Sequence, residues 1–307
     1  MASRKTKLIL LKFISFFSVI RGYNIFIVVL AQYLSTVFIL SPENGAKAVL
    51  LDFTFFIIVF ASALTIASGY IINSFYDSQK DLINKPNKSK LDRLVSQKTK
   101  LQVYFSINFI VAILSFFISL RALLFFASYI FLIWFYSHKL KKYPMIGNLT
   151  ASFLAILPFF AILFYYKNFY PQIFAHAVFL FSLILIREII KDLENIKGDI
   201  ANNYQTVPVR YGENIAKKII TVLTILTVIP VYLLVEIYDV NYMDIYFYFS
   251  LIVLLIFLFV LWKSNTKPQY LVLHNLLKFV IVTGVFCIVL INPKVLIHAK
   301  SIINNYL

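Results

Sequence analysis

Runs of apolar residues long enough to cross a bilayer recur from residue 22 to residue 292, and no other feature constrains the fold so tightly. A transmembrane helix needs roughly 20 apolar residues to span about 30 Å of hydrocarbon. Nine spans can be drawn, over 22–40, 49–73, 102–120, 122–137, 146–166, 171–190, 218–236, 243–262 and 273–292. The stretch 102–137 is too long for one crossing and is divided by Arg121, so it reads as a tight helical hairpin. Residues 8–18 read as a short interfacial helix before the first span. Charged residues make up only 14% of the chain, too few to cover a soluble domain of this length. The reading is a single all-α integral membrane domain over residues 1–307.

Charge tests this drawing independently. With the N-terminus placed in the cytoplasm, 23 of the 29 Lys and Arg residues fall on the cytoplasmic side. Five fall outside (Lys47, Arg121, Lys167, Lys294 and Lys300), and Arg21 sits at the mouth of the first span. That bias is the one that fixes topology in a plasma membrane, here of a bacterial or archaeal type. The basic N-terminus, Arg4, Lys5 and Lys7, resembles a signal peptide but lacks a small-residue cleavage site, so it reads as the retained start of the first helix. The net charge of +16 fits a membrane surface or an anionic substrate. No basic stretch is long enough to form a nucleic-acid face. A single cysteine, Cys287, excludes an intramolecular disulfide.

Two loops are long and polar, 77–101 and 191–217, and both fall on the cytoplasmic side. Each begins in a run of acids. Asn73, Asp77 and Asp81 are spaced by four, which advances about 40° per step and keeps all three on one helix face. Glu188, Asp192 and Asp199 are spaced by four and seven and fall within about 40° of one another. Glu194 points elsewhere, and Gly198 is a candidate helix end just before Asp199. Acids at the mouth of a membrane helix are unfavourable unless they pair or bind something. Two ladders facing one central cavity, open to the cytoplasm, would offer oxygen ligands suited to Mg²⁺, which takes one or two carboxylates plus substrate phosphate oxygens. The competing reading, solvated charges at helix ends, suits any single acid better than two ladders in matching phase.

The pattern from Asn73 to Asp81 resembles the first signature of the UbiA-type prenyltransferases. The stretch Glu188 to Asp199, followed by Thr206-Val-Pro-Val-Arg-Tyr-Gly212, is similar to their second. Tyr136-Ser-His-Lys139-Leu-Lys141, the pair Gly147-Asn148, and Arg21 with Asn24 match further family positions. Ser74 and the loop Lys85 to Leu94 depart from the common pattern. Ile83-Asn84-Lys85-Pro86 looks most like the digeranylgeranylglyceryl phosphate synthase branch.

The resemblance implies Mg²⁺-dependent transfer of a prenyl group from an allylic diphosphate to a lipid-like acceptor. A geranylgeranylglyceryl phosphate-type ether lipid is the leading candidate, and a quinone-ring precursor the alternative. It implies metal ligation by Asp77, Asp81, Glu188, Asp192 and Asp199, with Lys139 and Tyr136 beside the reaction. Diphosphate binding would fall to Arg21, Asn24, Asn73, Lys85, Arg93 and Lys191. Tyr70, Tyr76 and Tyr136 could hold an allylic cation against their ring faces. Lys88, Lys90, Lys98 and Lys100 are assigned to topology alone. A transporter would show broken helices or mid-membrane charges in corresponding halves, and a CDP-alcohol phosphotransferase would show a D-G and A-R pattern that neither acidic stretch contains.

Overall fold

The computed structural model describes residues 4–293, and nine of its helical segments are long and apolar enough to cross a membrane. Helix α1 (Arg4–Ile20) leads into α2 (Gly22–Ser35), which continues as a π-helical turn to Leu40. There follow α3 (Gly45–Leu51), α4 (Phe53–Tyr76), α5 (Ser78–Asn84), α6 (Pro86–Asp92), α7 (Gln97–Ile118), α8 (Leu120–His138), α9 (Ile146–Tyr166) and α10 (Pro171–Ala201). Helices α11 (Val207–Tyr211), α12 (Glu213–Leu226), α13 (Val228–Tyr232), α14 (Asp244–Lys263) and α15 (Lys267–Cys287) complete the bundle. Lys294 and Lys300, counted in the charge tally, lie outside the described residues.

Local chemistry sets the helix ends. Ser119, extended at φ −176°, breaks the long apolar run and caps α8 by accepting the Ala122 N–H, so the hairpin forms as expected. The second span begins at Phe53, later than the 49 read from hydropathy, because Asp52 ends α3 and caps α4 through the Phe55 N–H. The hydroxyls of Tyr165 and Tyr166 also donate to Asp52, which ties α4 to the end of α9. The ninth span begins at Lys267, ahead of the expected 273, because Thr266 and Gln269 form a capping box there. Lys278, near the start of the span drawn over 273–292 and tallied with the cytoplasmic charges, is deep inside this helix. Helix α10 runs on to Ala201, and α11 and the start of α12 fall in the same stretch, so most of the expected loop 191–217 is helix.

In lipid, helices gain no hydrophobic advantage from packing on each other, so polar ties between them matter. Pro158 inside α9 has no N–H for the Leu154 carbonyl, and Tyr129 of α8 donates its hydroxyl there instead, at 2.9 Å. The Pro158 carbonyl in turn accepts from Gln32 of α2, at 3.1 Å. Lys100 is a further tie and a correction: it is 2% exposed and donates to Ser74 Oγ on α4 at 3.1 Å, so it is no mere topology marker. Lys100→Ala should lower stability by about 1–3 kcal/mol, the usual cost of losing a buried polar partner. The thermal melting temperature in detergent measures this, and an unchanged value would return Lys100 to a surface role.

Candidate active site

Both acid ladders line one small pocket, about 50 Å³, between the end of α4, helix α5 and the second half of α10. Asn73, Asp77 and Asp81 face it from one side, and Glu188 and Asp192 from the other. Lys85, Lys191, Arg21 and Tyr136, all expected at the site, line it too. Asp77 sits at the α4–α5 junction, where the chain pauses at φ −86°, ψ 5° before turning into α5.

The carboxylates are held by lysines. Lys141 Nζ reaches Asp77 Oδ1 at 2.6 Å and Asn73 Oδ1 at 3.2 Å. Tyr204 donates to the same Asp77 oxygen at 3.1 Å. Lys191 pairs with Glu188 at 2.6 Å, and Asn148 Nδ2 donates to Asp192 at 2.7 Å. Burial alone would raise the Asp77 carboxyl, but Lys141 and Lys80 outweigh it and hold it below the usual carboxylate range. Burial pushes the Lys85 ammonium down to about 8, helped by Arg21 and Lys191 and opposed by Asp81. Lys80 goes the other way, because Asp77 and Asp199 more than offset its burial.

Four expected residues are placed elsewhere. Asp199 does not line the pocket: it is fully buried behind it, paired with Lys80 at 2.5 Å and accepting from Thr206 at 3.1 Å. Lys139 is exposed, because the chain leaves α8 at that residue (φ −130°) and a 3₁₀ turn carries Lys141 inward instead. Arg93 is exposed at the end of α6 and does not line the pocket. Asn24 donates to the Tyr70 hydroxyl at 3.3 Å and faces the adjoining, more apolar cavity.

Four residues went unassigned in the sequence. Lys80 was legible only as a loop cation, Lys141 and Asn148 only as members of stretches that resemble the family, and Tyr204 as one aromatic among twenty tyrosines. Gly198 does not end α10. Its N–H donates to Asn84 Oδ1 at 3.1 Å, and Lys267 Nζ donates to the Asn84 carbonyl at 2.6 Å, which fastens α5 to α10 and α15.

The pocket shares Arg21, Asn73, Tyr136, Glu188 and Lys191 with a second cavity of about 300 Å³. That cavity shares Ala31, Phe159, Leu180 and Ile281 with a third, about 130 Å³, walled almost wholly by apolar side chains. A polar pocket thus passes through shared walls into apolar space. Among the described residues, no three His, Cys or carboxylate side chains gather into a ready-made metal cage. The donors present are hard carboxylate and amide oxygens, the kind Mg²⁺ uses when substrate phosphates complete its shell.

A bundle of apolar helices that sets acids and lysines beside a largely apolar cavity defines a membrane-embedded enzyme. This chain belongs to the UbiA prenyltransferase family, whose signature matches residues 29–277. It stands close to the digeranylgeranylglyceryl phosphate synthase branch. It is 30% identical to the digeranylgeranylglyceryl phosphate synthase of Thermococcus sibiricus over 215 residues, 70% of this chain and 74% of that one. A UbiA homologue from Archaeoglobus fulgidus, solved with DMAPP and Mg²⁺, has the same fold, with a TM-score of 0.66 at 15% identity over 90% of this chain and 99% of that one. A solved structure concerning digeranylgeranylglyceryl phosphate synthase in membranes aligns with a TM-score of 0.69 at 21% identity, covering 91% and 97%.

Proposed function

We propose that the polar pocket receives the diphosphate of an allylic prenyl diphosphate with Mg²⁺, and that the prenyl group passes to a lipid-like acceptor of the geranylgeranylglyceryl phosphate type. The observation that carries this reading is the meeting of both acid ladders, with their lysines, at the head of an apolar cavity. Asp77, Asp81, Glu188 and Asp192 would hold the metal, and when bound Mg²⁺ would neutralise charge on the leaving diphosphate. Lys80, Lys85, Lys141 and Lys191 bind and orient the diphosphate oxygens. The acceptor oxygen bonds to C1 of the prenyl chain as the bond from C1 to the diphosphate breaks; the electron pair leaves with the diphosphate, which also takes up the acceptor's hydroxyl proton. The apolar walls keep water from the allylic carbon, and the Tyr70 and Tyr136 rings border the space where cationic character develops.

The pocket faces the cytoplasm in this reading, and residues 1–307 work as one unit. The segments 77–101 and 191–217 cap the site, α6 being fastened to α1 by Ser15 Oγ on the Leu91 carbonyl and Ser18 Oγ on Asp92. The test is a turnover assay with purified protein, Mg²⁺ and labelled C15 or C20 allylic diphosphate against ether-lipid and aromatic acceptors. Metal-dependent pyrophosphate release with a prenylated ether-lipid product is expected. Prenylation of the aromatic acceptors alone would overturn the acceptor class, and no prenylated product from any acceptor would overturn the reaction.

A further inference from the structure

The polar pocket and the larger cavity beside it differ in charge. In the polar pocket five cations face four carboxylates, close to balance. The larger cavity is lined by Arg21, Arg187, Lys191 and Lys278 against Glu188 alone. That carboxylate is already shared, with Lys191 at 2.6 Å and Arg187 Nη2 at 3.6 Å. Arg21 and Lys278 lie over ring faces instead, Arg21 at 4.9 Å from Tyr70 and Lys278 at 4.2 Å from Tyr23.

Lys278 is eleven residues into α15 and nine from its end, so it cannot be explained as a helix-end charge reaching the interface. Arg21 at the α1–α2 junction, Arg187 of α10 and Lys278 of α15 all line this one cavity, so cations from three elements converge on it. Arg187 Nε is buried with no hydrogen-bond partner among the described residues. Arg21 is held in the left-handed region, at φ 50° and ψ 53°, a strained placement for a residue with a side chain. Excess positive charge gathered inside a membrane protein marks an anion path or site.

We propose that Arg187 and Lys278, with Arg21 at the shared edge, form a second anion site that takes the phosphate monoester of the acceptor. This rests on the prenyl-transfer reading above and adds the group by which the acceptor is recognised. The two sites divide the work by charge. The polar pocket, close to charge balance, gives a bare polyanion little net attraction, and a diphosphate is held there together with metal. The cation cluster has one shared carboxylate and holds a monoester without metal, through the charge-assisted hydrogen bonds that Arg and Lys make to phosphate. Its position on the same cavity wall brings the acceptor's headgroup alongside the reacting prenyl end.

The test uses the full-length protein in neutral detergent and two probes, an alkylglyceryl monophosphate and the matching alkylglycerol. Binding of the monophosphate without Mg²⁺, followed by calorimetry, should weaken at least about tenfold in Lys278→Met and in Arg187→Gln, and Lys278→Arg should restore it. In turnover, Lys278→Met should raise the KM of the monophosphate by a similar factor and erode its preference over the alkylglycerol, while the KM of the allylic diphosphate moves less than about twofold. Binding that requires Mg²⁺, or that ignores both substitutions, overturns the proposal. A raised KM for the allylic diphosphate overturns it too, by assigning the cluster to the donor. A phosphodiester lipid such as phosphatidylglycerol, added to the micelles, separates the remaining source. Equal competition would make this a bilayer-lipid site and refute the acceptor assignment, whereas failure to compete supports a monoester site. If no acceptor is prenylated but metal-free monophosphate binding is lost in Lys278→Met, the reaction reading fails and the anion site stands.

Discussion

Asp77→Asn and Asp192→Asn should each lower turnover at least about 100-fold, the scale seen when one preorganised group facing developing charge is removed. Asparagine keeps an oxygen for Lys141 at position 77 and for the Asn148 amide at position 192, so both variants should fold. What they lose is the anionic ligand on each side of the pocket. Asp199→Asn should behave differently, although it belongs to the same acidic stretch. Asp199 is buried with Lys80 and Thr206 and does not face the pocket. Breaking a buried ion pair costs about 3–5 kcal/mol, so the loss should appear first in the melting temperature and the yield of folded protein. Measuring turnover and melting together separates the two cases. Near-normal turnover in Asp77→Asn or Asp192→Asn would remove those residues from the site, and a stable but inactive Asp199→Asn would put Asp199 into it.

Gly198→Val should cut activity about 100-fold, because displacement by about 1 Å at a reacting centre carries losses of that size. A Cβ at position 198 would stand 2.5 Å from Asn84 Cγ, and Asn84 is buried where α5 meets α10. The contact cannot be relieved by a small rotation, since Asn84 Oδ1 accepts the Gly198 N–H and its carbonyl accepts from Lys267. Helix α5 must move, and it carries Asp81 into the pocket. Overpacking of this kind also costs roughly 1–3 kcal/mol. Combining Gly198→Ala with Asn84→Ala distinguishes contact from helix propensity. If the contact is the cause, the alanine at 198 should do less harm on the Asn84→Ala background than on the native one. Equal harm on both backgrounds would mean that the close approach of α5 to α10 does not matter.

The ladders were legible in the sequence because four-residue spacing is a statement about one helix face: α10 keeps that phase through Glu188 and Asp192, whereas α4 ends at Tyr76, and Asn73, Asp77 and Asp81 reach the same pocket across the α4–α5 junction instead of along one helix. The same rule misplaced Asp199. Its phase agrees with Glu188 and Asp192, but it lies two turns beyond Asp192, where Lys80 and Thr206 enclose it. Lys139 and Lys141 are two residues apart, and only the 3₁₀ turn over Leu140–Lys142 decides which one enters the site. Sequence spacing does not encode that turn. Lys100 looked solvated because charge next to a loop usually is, whereas its partner Ser74 lies 26 positions away. Lys278 was hidden by hydropathy itself: a lysine lowers the local average, so the span was drawn with the charge near its start, and the capping box at Thr266 showed otherwise. Gly198 read as a helix stop by propensity, but tertiary contact with Asn84 overrides propensity.

The central claim is that one metal-assisted diphosphate site lies between Asp77 and Asp192. The most direct measurement is a crystal structure of the protein with Mn²⁺ in place of Mg²⁺ and an uncleavable thiolo analogue of an allylic diphosphate, with the metal located by its anomalous scattering. Metal peaks should lie beside Asp77 or Asp81 on one side and Asp192 on the other, with the diphosphate between them, Lys141 and Lys85 against its oxygens and the prenyl chain running into the apolar cavity. A diphosphate bound with no metal at these carboxylates, or metal and diphosphate found away from this pocket, would contradict it.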